Sequence, residues 1–427
     1  MNLSKYPLLR NILEQLLGKE IIQPPIKLNK ILCDEPPAYY YLVYINKTSK
    51  YLTSLGYDIA NFKINGSNLS FFSAESALLK SIMECLEYLC LYSIDESKLI
   101  INSYNSLSKK NGIKLMDLDL YSMGIKNKTI GWLKGYDLIN KATMLIPAQL
   151  TTLNYNKDKL LLTTQISSGS ASGPDETSAL LHGIYEILER DATMTTYLLN
   201  YQAPEIDLSS MHNLKIGRIV SAFTKHKLEL RVFNVTNNLD IPSFIAVIRD
   251  NTDIGAKIAI GSKSSLQYKK AITGAIEEAF AVRYSLNSQI YKNNFNHFHI
   301  STEKVENKTD RLRYWSQPKM VNMLKLLHNT RKTAADFIKY DFSSKKMELN
   351  YLLNHLKKKK LHVYCVNNTM PLLKNVPFFV IKAIIPKLQP LYLSESHKEI
   401  NHIRLHEVAD YFKLPSYKIN NIPHPFP

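Results

Sequence analysis

The sequence predicts an α+β fold of mixed sheets with three long helices. Strand-like and helix-like stretches alternate irregularly, without the steady β-α-β rhythm of a doubly wound sheet. Hydrophobic residues make up 45% of the 427 residues, enough for a packed core. Three stretches, near residues 73–93, 174–200 and 266–286, set apolar residues at helical spacing with carboxylates on another face.

In chain order, the N-terminal stretch MNLSKYPLLRNILEQLLGKE reads as an amphipathic helix leading to Pro24 and Pro25. It lacks the continuous apolar core and small-residue cleavage site of a signal peptide. Residues 39–63 look strand-like, and the first long helix follows. Strand patterns return around Trp132 and at 144–155. The second long helix is expected to open at Pro174, which suits a first helical position, with Asp175 and Glu176 at the positive end of its dipole. Strands are expected at 228–235 and 243–249, then the third long helix and a shorter one near 317–329. LHVYCV and FFVIKAII read as late strands before a polar tail that ends PHPFP. No internal repeat or low-complexity linker divides the chain.

Composition narrows the function classes. The longest apolar stretches, such as residues 378–381, fall far short of the roughly 20 residues a membrane span needs. No membrane span is expected, and a cytoplasmic location is. Cys33, Cys85, Cys90 and Cys365 form no CxxC pair and read as buried, reduced thiols. The net charge is +17, yet only ten of the 54 basic residues are Arg. The lysine run at 357–360 reads as a solvated turn. No nucleic-acid partner is expected, and a basic surface would equally suit ATP or an acidic peptide.

The carboxylates carry the chemistry. Ser81, Glu84 and Glu87 are spaced by three and share one face of their helix, opposite Leu78, Ile82, Cys85, Leu86 and Leu89. In the second helix His182, Glu186 and Glu189 share a face, opposite Leu180, Ile184, Ile187 and Leu188. Such faces are ordinarily solvated surface. The functional alternative is a metal–phosphate site, in which Mg2+ lies between carboxylates and a triphosphate that they would otherwise repel. A di-iron centre would want Glu-x-x-His pairs, which neither helix offers. QISSGSASGPDET is a Ser/Gly-rich run before a helix, a setting that can bind phosphate through backbone N–H groups. It is neither a Walker A loop nor GxGxxG. In the third helix Glu277, Glu278 and Arg283 stand out. Five residues turn a helix by about 140°, so Glu278 and Arg283 do not both face one ligand on a straight helix.

Together these segments resemble the YcaO family. SIMECLEY is similar to its SxxExxER helix, SSGSASGPDETSALLHGIYEILERDA to its SNGLASG…EAxxHGxxExxERDA segment, and AITGAIEEAFAVR to its third helix. IGWLKGYDL, LIPAQL, ELRVFNVTNNLDIPSF, RLRYWSQP and VIKAIIPKLQPLY extend the resemblance over residues 35–427, as one cyclodehydratase domain after a helical lead-in at 1–34. The resemblance implies the YcaO fold, ATP and Mg2+. It implies Glu84, Glu87, Glu186 and Glu189 as metal ligands, and Ser81, Ser168, Arg190, Glu278 and Arg283 as nucleotide contacts. Members that make azoline rings typically end in PxPxP, which Pro423, Pro425 and Pro427 match, and this implies a catalytic role for the tail. On its own, such a tail reads as a disordered end.

The implied activity is ATP-dependent cyclodehydration of Cys, Ser or Thr in a ribosomally made precursor peptide. The alternatives are another backbone activation, giving a thioamide or amidine, and a non-catalytic scaffold in a peptide-modifying complex. The short lead-in leaves little room for peptide recognition. The resemblance therefore implies a separate leader-binding partner, ubiquitin-activating-like or winged-helix, with a flavin dehydrogenase acting afterwards and a homodimer as the assembly. Three positions depart from the family pattern. Tyr88 stands where Arg is usual, Ser168 where Asn is usual and Ala281 where Gln is usual, and NGSNLS replaces a glycine-lysine-glycine turn.

Overall fold

The computed structural model describes residues 5–32, 35–57, 59, 61–110, 112–116, 125–153, 155–252, 255–293, 300–328, 331–334 and 336–426. Cys33 and Pro427 lie outside them. The chain forms two compact units, one of residues 1–28, 39–187 and 342–387, the other of 29–38, 188–341 and 388–427. The boundary at residue 34 expected for the lead-in is not where these units divide. Elements are numbered in chain order through both.

In the first unit, α1 (Pro7–Gly18) is the expected amphipathic helix, burying Leu9, Ile12, Leu13 and Leu16. The lead-in does not stop at the prolines, because β1 (Ile26–Lys27) pairs antiparallel with β2 (Tyr39–Tyr44). The 39–63 stretch is not continuous strand: β2 ends, and α2 (Lys50–Ser54) begins on a cap in which Ser49 accepts from the Leu52 N–H. NGSNLS is not a turn but β3 (Asn65–Ser70), paired along its length with β2. α3 (Ala74–Tyr92) starts at the Ser73 cap and buries Leu78, Ile82, Cys85, Leu86 and Leu89 against the core that α1 and β2 share.

A second sheet runs β4 (Ile100–Ser103), β5 (Thr129–Asp137), β13 (Tyr364–Asn367), β14 (Phe379–Ile384), β7 (Ser170–Gly173), with β6 (Ala142–Pro147) on β5. α4 (Tyr104–Ser108) follows β4, and α10 (Lys345–Lys358) precedes β13. The strand expected to reach residue 155 stops at Pro147. The lysine run begins in the last turn of α10, where cations complement the dipole. Cys85 and Cys90 are buried free thiols, as expected, while Cys365 is half-buried.

α5 (Glu176–Leu198) starts two residues later than expected. Within the Ser/Gly-rich run before it, Ser168 and Gly169 form a turn and residues 170–173 are strand, pairing with β14 from Ser170↔Lys382 to Gly173↔Phe379. Gly169 makes this entry possible: its φ is +85°, and a Cβ there would lie 2.5 Å from the Ala383 carbonyl oxygen. The boundary between the units falls within α5.

In the second unit, one sheet runs β11 (Ile258–Ser264), β10 (Ser243–Asp250), β9 (Leu228–Asn234), β8 (Glu205–Asp207), β12 (Lys332–Ala334), with β12 parallel to β8. α6 (Leu214–Lys225) packs against β9. The long α7 (Tyr268–Lys292) lies on β10 and β11 and buries Ala271, Ile272, Ala275, Ile276, Ala279 and Phe280. The helix expected near 317–329 is instead α8 (Lys308–Trp315) and the single turn α9 (Met320–Met323), interrupted at Pro318. α11 (His402–Tyr411) precedes the tail.

Candidate active site

The carboxylates of the long helices are held by strands, and the same local device serves in each unit. Gly66 of β3 lets the strand touch α3: a Cβ there would collide with the Ser81 carbonyl oxygen and the Cys85 nitrogen. That approach brings the Ser67 N–H to Glu84 Oε2 at 2.7 Å, with Asn68 Nδ2 donating to the same oxygen at 2.8 Å. In the second unit, a Cβ on Gly261 of β11 would collide with the Ala279 nitrogen of α7. The Ser262 N–H then reaches Glu278 Oε2 at 2.8 Å.

The first cluster comprises Glu84, Glu87 and Glu186, with the buried Lys382 of β14. Glu87 keeps part of its surface exposed, but protein packs closely round its carboxyl. Burial pushes its pKa well up, Glu186 and Glu84 push the same way, and the Ser172 N–H at 3.1 Å and Lys382 oppose them. Burial holds Lys382 down to about 8 against the pull of Glu186 and Glu87. Its Nζ also donates to the Ile166 and Ser168 carbonyls, each at 2.7 Å. Three carboxylates beside one ammonium leave a net negative cluster that favours an added cation.

The second cluster comprises Glu189, Glu278, Arg190 and Lys263. Glu189 is 1% exposed. Its Oε1 accepts from Ser262 Oγ at 2.7 Å, whereas its Oε2 is buried and accepts no hydrogen bond, with Lys263 Nζ at 3.5 Å. Burial and the Glu189 charge push Glu278 up to about 7, against Arg190 and Lys263. A buried carboxylate oxygen without a donor is costly unless something else completes its shell. Among the described residues no three His, Cys, Asp or Glu side chains close round an ion. Mg2+ takes one or two carboxylates and fills its octahedron with phosphate oxygens and water. The donor set is all oxygen, the chemistry that Mg2+ prefers.

Asp191 fixes the second half of α5. Arg404 donates to both its oxygens, at 2.9 and 2.7 Å, and the Gln389 N–H and Asn237 Nδ2 complete its shell. The tail is also anchored in this unit, against the expectation of a loose end. Residues 423–426 are buried. Trp315 Nε1 and Tyr197 OH donate to the Pro423 carbonyl at 2.8 and 3.3 Å, and Arg311 donates to that of His424 at 2.9 Å. His424 Nε2 faces the Tyr392 carbonyl at 2.6 Å, and Phe426 packs edge-on to Tyr197. Arg190 lies within electrostatic reach of His424.

Two expected nucleotide contacts have protein partners. Ser81 is fully buried, and its Oγ is engaged with the Tyr41 and Ala77 carbonyls and the Asn68 N–H. Arg283 pairs with Asp250 at 2.8 Å and donates to the Ala256 carbonyl, separate from Glu278 as the helical angle requires. Ser168 contributes its carbonyl to Lys382. Tyr88 is a packed phenol whose pKa burial raises, so it brings no charge where Arg is usual. Ala281 gives its carbonyl to Ser285. Sequence reasoning missed Lys382, Ser262, Lys263, Asp191 and His424. The Gly-Ser pairs at 66–67 and 261–262 were the available signal for the strand donors.

A family model described as YcaO cyclodehydratase, ATP- and Mg2+-binding, matches residues 72–389. The chain belongs to the YcaO family. ATP and Mg2+ binding are what that family model describes. A curated relative from Rhizobium leguminosarum bv. trifolii, an uncharacterized protein in the tfuA 3′ region, is 28% identical over 199 residues, 43% of this chain. That match covers 46% of the relative's length. Solved structures with the same fold include a heterocyclase in complex with substrate and cofactor, at TM-score 0.74 and 16% identity, covering 97% of this chain and 57% of that one. A YcaO protein from Methanopyrus kandleri bound with AMPPCP and Mg2+ superposes at TM-score 0.64 and 14% identity, covering 92% and 94%. The E. coli microcin synthetase McbBCD complex contains a chain matching at TM-score 0.60 and 14% identity, covering 89% and 94%. This chain thus spans about half the length of the curated relative and of the first of these structures. Among the described residues no helix is long and apolar enough to cross a membrane.

Proposed function

We propose that this YcaO enzyme catalyses cyclodehydration of Cys, Ser or Thr residues in a precursor peptide, giving thiazolines or oxazolines. The observation that carries the proposal is the buried tail, with His424 within electrostatic reach of Arg190, in a fold shared with a heterocyclase and a microcin synthetase. In this reading a peptide thiol or hydroxyl adds to the preceding carbonyl carbon. The resulting oxyanion takes the γ-phosphoryl group of ATP, releasing ADP. Loss of phosphate and of the amide proton then leaves the C=N bond of the ring. An amide oxygen is a poor leaving group, and phosphorylation is what lets it depart.

Glu84, Glu87, Glu186 and Glu189 would hold Mg2+, with Glu278 beside Glu189. The bound ions would neutralise phosphate charge. The protein's own work is positioning and charge balance. Arg190 would meet nucleotide phosphate, and residues 423–426, with Pro427, would border the reacting peptide. Ser81 and Arg283 would act by bracing α3 and α7. A separate leader-binding protein would deliver the peptide, a homodimer would be the working assembly, and a flavin dehydrogenase would oxidise the rings.

The test incubates the chain with its partner protein, the precursor peptide and Mg–ATP, followed by mass spectrometry and ADP measurement. Loss of one water per modified residue with ADP release is expected. Exchange of oxygen for sulfur would replace this reading with thioamide formation, and an unchanged peptide without ADP would refute both. Removal of residues 425–427 is expected to abolish ring formation while ADP binding persists; retained cyclisation would refute the role of the tail.

A further inference from the structure

Lys263 has no role in the reaction described so far. It is the exposed residue of a strand otherwise buried from Ile258 to Ser264. Its Nζ lies 3.5 Å from Glu189 Oε2, the buried oxygen that accepts no hydrogen bond. Its side chain is 47% exposed, against 2% for that of Glu189, so the lysine reaches solvent where the carboxylate does not. The path of the stem is built in. It crosses α7 at Gly274, where a Cβ would lie 3.0 Å from Lys263 Cγ and 3.4 Å from Cδ. Glycine inside a helix disfavours the helix, and here its bare surface is what the lysine stem occupies. The neighbouring Ser262 holds both Glu189 and Glu278, so two consecutive strand residues set the partners of both carboxylates.

We propose that Lys263 is a charge-exchange residue of this cluster. Without nucleotide its ammonium balances Glu189; when a Mg–nucleotide enters, Mg2+ takes over the carboxylate and Lys263 turns to a phosphate oxygen. This rests on the reading of the cluster as a Mg–nucleotide site. A lysine suits the task because it is a compact point charge on a flexible stem with rotatable donors. An ammonium and a divalent cation repel each other at one carboxylate, so each weakens the hold on the other.

The consequence is a pair of effects of opposite sign. Titrations of the full chain with Mn2+ alone, followed by electron paramagnetic resonance, and with Mg–ADP, followed by calorimetry, separate them. In Lys263→Met the Mn2+ dissociation constant is expected to fall about tenfold and that of Mg–ADP to rise about tenfold, while Lys263→Arg stays near wild type for Mg–ADP. Thermal melts confirm the fold, and Lys263→Gln carries the test should the Met variant not fold. Both constants moving in one direction, or neither moving, would overturn the proposal while wild-type Mg–ADP binding stands. Absence of Mg–ADP binding in the wild type would overturn the site reading, and this proposal with it.

Discussion

His424 shows most clearly how a single side chain depends on partners far away in sequence. Its ring is fully buried. Nε2 faces the Tyr392 carbonyl, which assigns the proton to Nε2, while Nδ1 is buried without a hydrogen-bond partner. Burial lowers its pKa well below 6.5, and Arg311 adds to the shift. The unfolded chain therefore binds a proton below pH 6.5 that the folded chain does not, so stability falls as pH drops through that value. Thermal midpoints measured from pH 8 to pH 5 are expected to decline more steeply in the wild type than in His424→Gln; parallel slopes would contradict this. The sequence marked the prolines of PHPFP and passed over the histidine between them. Its partners Arg311 and Tyr392 stand 113 and 32 residues away, beyond the reach of any local pattern.

At the scale of elements, spacing identified the helices and their carboxylate faces, because α3, α5 and α7 each follow a 3.6-residue period. It did not identify the strands that receive them. NGSNLS looks like a turn because Gly, Asn and Ser favour turns. It is strand because Gly66 permits contact with α3, a long-range requirement that local propensity does not contain. The Ser/Gly-rich entry to α5 misleads in the same way, becoming strand only by pairing with β14. The Arg404–Asp191 pair joining α11 to α5 was equally hidden, since its members lie 213 residues apart. Both side chains are about 2% exposed or less. Arg404→Met would leave Asp191 buried and uncompensated and is expected to cost about 3–5 kcal/mol in urea unfolding. Restoring an apolar match with Asp191→Leu should recover part of that loss. An unchanged midpoint in the single variant would contradict the structural role of the pair.

For the whole molecule, the family resemblance carried what composition and periodicity did not. The net charge of +17 said little about partners, and the glutamate faces alone read as solvated surface. The chain instead forms two compact units, with α5 continuing from one into the other; Glu186 belongs to the first and Glu189 to the second. Each unit presents carboxylates gripped by a Gly-Ser strand step, although no sequence repeat announces it. The account rests on those carboxylates binding a divalent ion with nucleotide. Crystals grown with Mn2+ and a non-hydrolysable ATP analogue test this most directly, by anomalous diffraction at the manganese edge. The account predicts anomalous peaks at Glu84, Glu87 and Glu186 and at Glu189 beside Glu278. Bound nucleotide with no peak at either cluster would contradict it.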